Sequence, residues 1–91
     1  MKTFENLKFQ HTEHSVYAHE FFHNGYGIFV IKNSYLFGGD NGLYECAVLK
    51  GTKRNYHVNY KTPITGSVIG YCTPEMVTAI MRKIQELCVY Y

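Results

Sequence analysis

The chain has 91 residues, of which 46% are hydrophobic and 18% charged, and its net charge is +2. This describes one globular domain, residues 1–91, large enough to fold alone because a chain of this size buries roughly two thirds of its unfolded surface. The near-neutral balance excludes an acidic DNA mimic and a strongly basic DNA binder, leaving only local patches.

Residues 2–10 alternate weakly and predict a first strand. From Ser15 to Phe22 the alternation is clearer: Val16, Ala18, Glu20 and Phe22 share one face, and Ser15, Tyr17, His19 and Phe21 the other. Asn24-Gly25 follows, the strongest short signal for a type I′ hairpin turn. Residues 26–32, rich in β-branched and aromatic side chains, form the partner strand. Residues 33–42 read as a loop with three glycines, in which Tyr35, Leu36 and Phe37 are costly to leave in water. Residues 43–49 predict another strand, with Tyr44, Cys46 and Val48 on one face. A basic turn at 50–55 leads into a last long strand at 56–60.

Pro63 and Gly66 make residues 62–67 a connector, and residues 68–71 are expected to be extended. Thr73 is a good helix N-cap, with Pro74 at the first helical position and Glu75 facing the positive end of the dipole. Met76, Val77, Ile80, Met81, Ile84, Leu87 and Cys88 then recur as one apolar stripe. The expected fold class is α+β: a single antiparallel sheet of about four to five strands, with one C-terminal amphipathic helix packed on one face. Cys46, Cys72 and Cys88 are an odd number at wide spacing, without a C-x-x-C pair, and read as reduced core thiols.

His19-Glu20-Phe21-Phe22-His23 spells the H-E-x-x-H pattern of zinc hydrolases, which requires both histidines one helical turn apart. On a strand the same two residues lie roughly 13 Å apart, too far to share a zinc. With His11 and His14 they read better as an exposed polar face than as a looser metal cluster. The 38–42 stretch lacks the Gly-Lys-Ser/Thr ending of a P-loop. No catalytic residue, metal or cofactor is therefore expected, and the chain is read as non-enzymatic. Residues 50–61, by contrast, carry Lys50, Lys53, Arg54 and Lys61 beside Tyr56 and Tyr60. Basic groups interleaved with aromatic rings suit single-stranded nucleic acid or an acidic partner.

Several stretches together resemble a family of small phage and prophage accessory proteins: Asn24-Gly25-Tyr26-Gly27-Ile28, Tyr35-Leu36-Phe37-Gly38-Gly39-Asp40, residues 42–49, Thr62-Pro63-Ile64-Thr65 and Val68-Ile69-Gly70-Tyr71. The resemblance covers about Phe4 to Leu87. It departs at Lys61 and at Gly66-Ser67, where acidic residues are usual, and at His19 and His23, which are peculiar to this chain. It implies a protein that binds and inhibits a bacterial host or defence protein or ribonucleoprotein, of the anti-CRISPR or other counter-defence type, by analogy with such proteins. The expected contacts are Tyr35, Leu36, Phe37, Asp40 and Tyr44 with the Tyr-bearing sheet face. The alternative is a nucleic-acid module using Lys50, Lys53, Arg54, Tyr56 and Lys61. A homodimer is compatible with either reading. The residues at 1–6 have no apolar core of a signal peptide, and the longest apolar run, Ile28 to Ile31, cannot span a bilayer, so the expected location is the host cytosol.

Overall fold

A computed structural model describes residues 1–33, 43–59 and 69–87. The strands are β1 (Gln10–His11), β2 (Ser15–Phe21), β3 (Tyr26–Asn33), β4 (Tyr44–Thr52), β5 (Asn55–Val58) and β6 (Ile69–Cys72), followed by helix α1 (Pro74–Gln85). They form one antiparallel sheet in the order β1-β2-β3-β4-β5, with β6 also pairing β4. The long β4 carries both β5 and β6: β5 pairs with Leu49–Thr52, and β6 with Tyr44 and Cys46. This is the expected α+β architecture, with six strands because the extended residues 69–72 pair with β4 as β6.

The register Ala18↔Val30↔Cys46 and Glu20↔Ile28↔Val48 puts one row of side chains under the helix. Ala18, Ile28, Val30, Cys46, Val48 and Cys72 are buried there against Val77, Met81 and Ile84. Each fully buried aliphatic side chain of this kind contributes about 1.5–3 kcal/mol. Thr73 caps α1 by accepting from the Met76 N–H at 3.2 Å, and Pro74 opens it. Met76 does not join the stripe; it is 44% exposed, because the buried face is centred on Val77, Met81 and Ile84, at i, i+4 and i+7. Cys88, expected on the same stripe, lies outside the described residues. The Cys46 and Cys72 thiols are free and buried, and burial is the main force pushing both upward in pKa. They stay protonated core side chains.

Three local expectations change. Residues 2–10 do not form one strand; Phe4–Asn6 is a turn of 3-10 helix, and only Gln10 and His11 pair with β2. The backbone groups that a strand would need are taken elsewhere. Thr3 N–H donates to Asn6 Oδ1 at 2.8 Å, Phe4 N–H to Thr78 Oγ1 at 3.1 Å, and Gln85 bonds both the N–H and the carbonyl of Lys2. The last long strand is also shorter than 56–60, ending at Val58.

The third change is at Asn24-Gly25. Among the described non-glycine residues only Tyr71 has a positive φ, so Asn24 does not take the conformation that a type I′ turn requires. Instead Phe22 N–H donates to Tyr26 O at 2.8 Å around a three-residue loop, His23, Asn24 and Gly25, with Gly25 at φ 85°. Asn24 is bound to another task. It is 6% exposed, and its side-chain amide donates to the carbonyls of Ile84 at 2.8 Å and Leu87 at 3.2 Å, while its oxygen accepts from Tyr26 N–H. The hairpin tip thereby caps the open carbonyl end of α1.

Candidate functional site

The face of the sheet away from the helix is aromatic. Strand alternation carries Tyr17, His19 and Phe21 to it from β2, Phe29 from β3 and Tyr56 from β5. His19 lies 4.9 Å from the Phe29 ring, 5.2 Å from Tyr56 and 5.9 Å from Tyr17, and Phe21 lies 5.2 Å from Tyr56. The inclined geometries are those that aromatic quadrupoles favour. Four of these rings are half-buried, and Tyr56 is 40% exposed. Gly27 makes the arrangement possible: a Cβ there would stand 2.6 Å from Glu20 O and 2.8 Å from the Phe21 ring. The ring of Phe21 covers the cross-strand glycine that it pairs with.

Tyr56 Oη and His19 Nε2 are 3.0 Å apart. Burial lowers the pKa of His19 from its ordinary value of 6.5, so at neutral pH the ring is uncharged and its Nε2 can accept from the Tyr56 hydroxyl.

Beside the rings lies a groove of about 620 Å³, within the range of roughly 300–1,000 Å³ typical of ligand clefts. One wall is the N-terminal arm with Lys2, Asn6, Lys8 and Gln10. The other is the end of β2 at His19, Glu20 and Phe21, closed by Lys53 and Tyr56 from the β4–β5 hairpin. Lys2 Nζ pairs with Glu20 Oε1 at 2.8 Å and reaches Phe21 O at 3.4 Å, while Phe21 N–H donates to Glu20 Oε1 at 3.1 Å. These contacts occupy the outward backbone groups of β2 at Phe21, where a bare edge would invite another strand. Among the described residues, neither Lys8 nor Lys53 has an ion-pair or hydrogen-bond partner.

The residues singled out in the sequence separate. Lys53 and Tyr56 meet in the groove; Arg54 is exposed in the same turn. Lys50 pairs in register with His57, on the helix-side row rather than the aromatic one. Tyr44 does not share a surface with the aromatic face. Its ring packs on the helix side against Phe4 at 5.3 Å and Phe9 at 5.6 Å, with Lys32 Nζ 5.3 Å above it. Its parity with Cys46 and Val48, read in the sequence, requires that placement. Tyr35, Leu36, Phe37, Asp40 and Lys61 lie outside the described residues.

His19 sits on β2 and His23 in the exposed hairpin turn, so the H-E-x-x-H residues are not on a helix. Among the described residues no three His, Cys, Asp or Glu side chains are grouped as a metal would need. Lys8 and Lys2 were missed as groove residues because a straight first strand would have carried them away from Tyr56; the turn signal at Thr3 and Asn6 was the available clue. Among the described residues no helix is long and apolar enough to cross a membrane. No family model, no curated protein and no solved structure matches the chain.

Proposed function

We propose that the chain is a non-enzymatic phage accessory protein that binds and blocks a bacterial host or defence ribonucleoprotein, as a counter-defence factor of the anti-CRISPR kind, through its helix-free sheet face. The observation that carries this reading is the half-exposed cluster of Tyr17, His19, Phe21, Phe29 and Tyr56 on a face that the helix leaves open. Rigid aromatic side chains supply large contact area at low entropic cost, and they dominate interface energies. The resemblance to phage accessory proteins supplies the partner class, by analogy.

The test is retention of partners by tagged wild-type protein expressed in a defence-bearing bacterium, beside Tyr17→Ala and Phe29→Ala. The expected result is a partner complex held by the wild type and lost by both variants, each keeping a near-wild-type melting temperature. Equal retention by folded Tyr17→Ala and Phe29→Ala removes this face from the contact surface.

A further inference from the structure

We infer that the groove between the N-terminal arm and the β4–β5 hairpin binds a single strand of nucleic acid, with phosphates on Lys8 and Lys53 and a base stacked on Tyr56. The inference rests on the helix-free face being the contact surface, and names what one end of it holds.

Three features converge there. The first is charge. Lys2, Lys8 and Lys53 line the groove against one carboxylate, Glu20, which the Lys2 ammonium already neutralises at 2.8 Å. Lys8 and Lys53 are exposed and have no ion-pair partner among the described residues, one on each wall, so a chain of phosphates passing between them meets a cation on either side. The net charge of the whole chain is only +2, and three of its nine lysines and arginines line this one groove. The second is a stacking platform. The Tyr56 ring is inclined at 54–55° to Phe21 and His19, both 5.2 Å away, its hydroxyl is tied to His19 Nε2, and it is 40% exposed. Its free area therefore faces outward in a fixed orientation, and every base offers a π-face to it. The third is what the groove lacks for other partners. An added peptide strand needs open backbone groups on β2, and at Phe21 these are taken by Lys2 and Glu20. A rigid duplex would present its bases inward, away from Tyr56.

Fluorescence anisotropy of the full chain with a short fluorescein-labelled thymidine or uridine single strand, over a series of salt concentrations, tests the inference. Binding of either strand is expected, and a preference between them reports whether the 2′-hydroxyl is read. Lys8→Glu and Lys53→Glu should each weaken binding and flatten the log–log salt slope by at least about 0.7, the share of one phosphate contact on a single strand. Tyr56→Phe should bind nearly as well as wild type, whereas Tyr56→Ala should lose roughly 5- to 150-fold, as removal of one stacked base does, with the slope unchanged. Lys83→Glu, an exposed basic position on α1, is the control and should change little. Absence of binding, equal affinity for the matching duplex, full competition by a phosphorylated peptide, or equal losses from Lys83→Glu and Lys53→Glu would each overturn it.

The two readings fail separately. If Tyr17→Ala abolishes partner retention while no single strand binds, the aromatic face stands and the groove assignment falls. If single strands bind through Lys8 and Lys53 while Tyr17→Ala retains every partner, the wider face falls and the groove assignment stands.

Discussion

The two faces of the sheet are built from different chemistry. The face under the helix is aliphatic and sulphurous, with Ile28, Val30, Val48, Met81 and Ile84 all but inaccessible. The open face is aromatic, and four of its five rings, Tyr17, His19, Phe21 and Phe29, are only half-buried. A dry, close-packed layer needs shapes without polar tips, whereas a wet surface tolerates rings that carry a hydroxyl or an imidazole nitrogen. The same alternating strands thus give one row of residues to the helix-covered core and the other to a partly exposed ring cluster over Ala47 and Leu49, and the two should respond differently to substitution.

The largest effect should come from the covered face. Ile84→Asp places an unpaired charge in a fully buried site, costing several kcal/mol against a total of about 5–15 kcal/mol, so the domain should be unfolded by circular dichroism. Met76→Asp, about two turns away on the same helix but exposed, should melt within a few degrees of wild type. If both behave alike, the division between faces is wrong.

Next is the seam where hairpin meets helix. Asn24→Ala removes both donations to the carbonyls of Ile84 and Leu87; Ile84 O keeps the Leu87 N–H at 3.1 Å while the Leu87 carbonyl loses its side-chain donor, at about 1–3 kcal/mol. For a domain of this size that is a drop of roughly 4–24 °C in melting temperature.

On the open face, Tyr17→Ala should cost under about 1.5 kcal/mol, the value of an aromatic pair, because its ring contacts are with other surface rings. A loss of 3–5 kcal/mol in a denaturant titration, the cost of truncating a core aromatic, would place it with the core instead.

The smallest effect is a pH slope. Burial holds the pKa of His19 below 6.5 in the folded chain, so the unfolded chain binds the proton more readily. The stability associated with neutral His19 is therefore intact above pH 6.5 and declines as the pH falls through the folded value. Melting temperatures measured downward from neutral pH should show that decline, and His19→Gln should flatten it. An unchanged slope in the variant would mean that the acid sensitivity lies elsewhere.

The alternation of β2 and the stripe centred on Val77, Met81 and Ile84 were legible in the sequence because period-2 and period-3.6 patterns survive any detail of packing. The opposed placement of Tyr44 and Tyr56 was legible in part. Tyr44 shares parity with Cys46 and Val48, but nothing local indicates that Phe4 and Phe9 come to meet it. The groove was not legible, because its walls are joined by contacts far apart in the chain: Lys2 with Gln85, Phe4 with Thr78, His19 with Tyr56. Asn24 was read as a turn former, and its local signal could not reveal that α1 ends beside it.

That Asn24 cap also bears on chemical ageing. An asparagine followed by glycine is the dipeptide most prone to deamidation, in which the glycine nitrogen attacks the side-chain carbon, ammonia leaves, and the succinimide opens to aspartate or isoaspartate. The attack requires the Asn24 side chain to rotate, and here its amide is tied to two helix carbonyls and its oxygen to the Tyr26 N–H. The reaction is therefore gated by the opening of the hairpin–helix seam, a local equilibrium of the kind hydrogen exchange measures. Loss of ammonia makes the step irreversible, and the carboxylate it leaves faces the same carbonyl oxygens and repels them, so the seam does not re-form as before. The mass gain at residue 24 over weeks of storage, resolved by peptide mapping from that of the second Asn-Gly pair at Asn41-Gly42, therefore tracks the fraction of time that seam stands open.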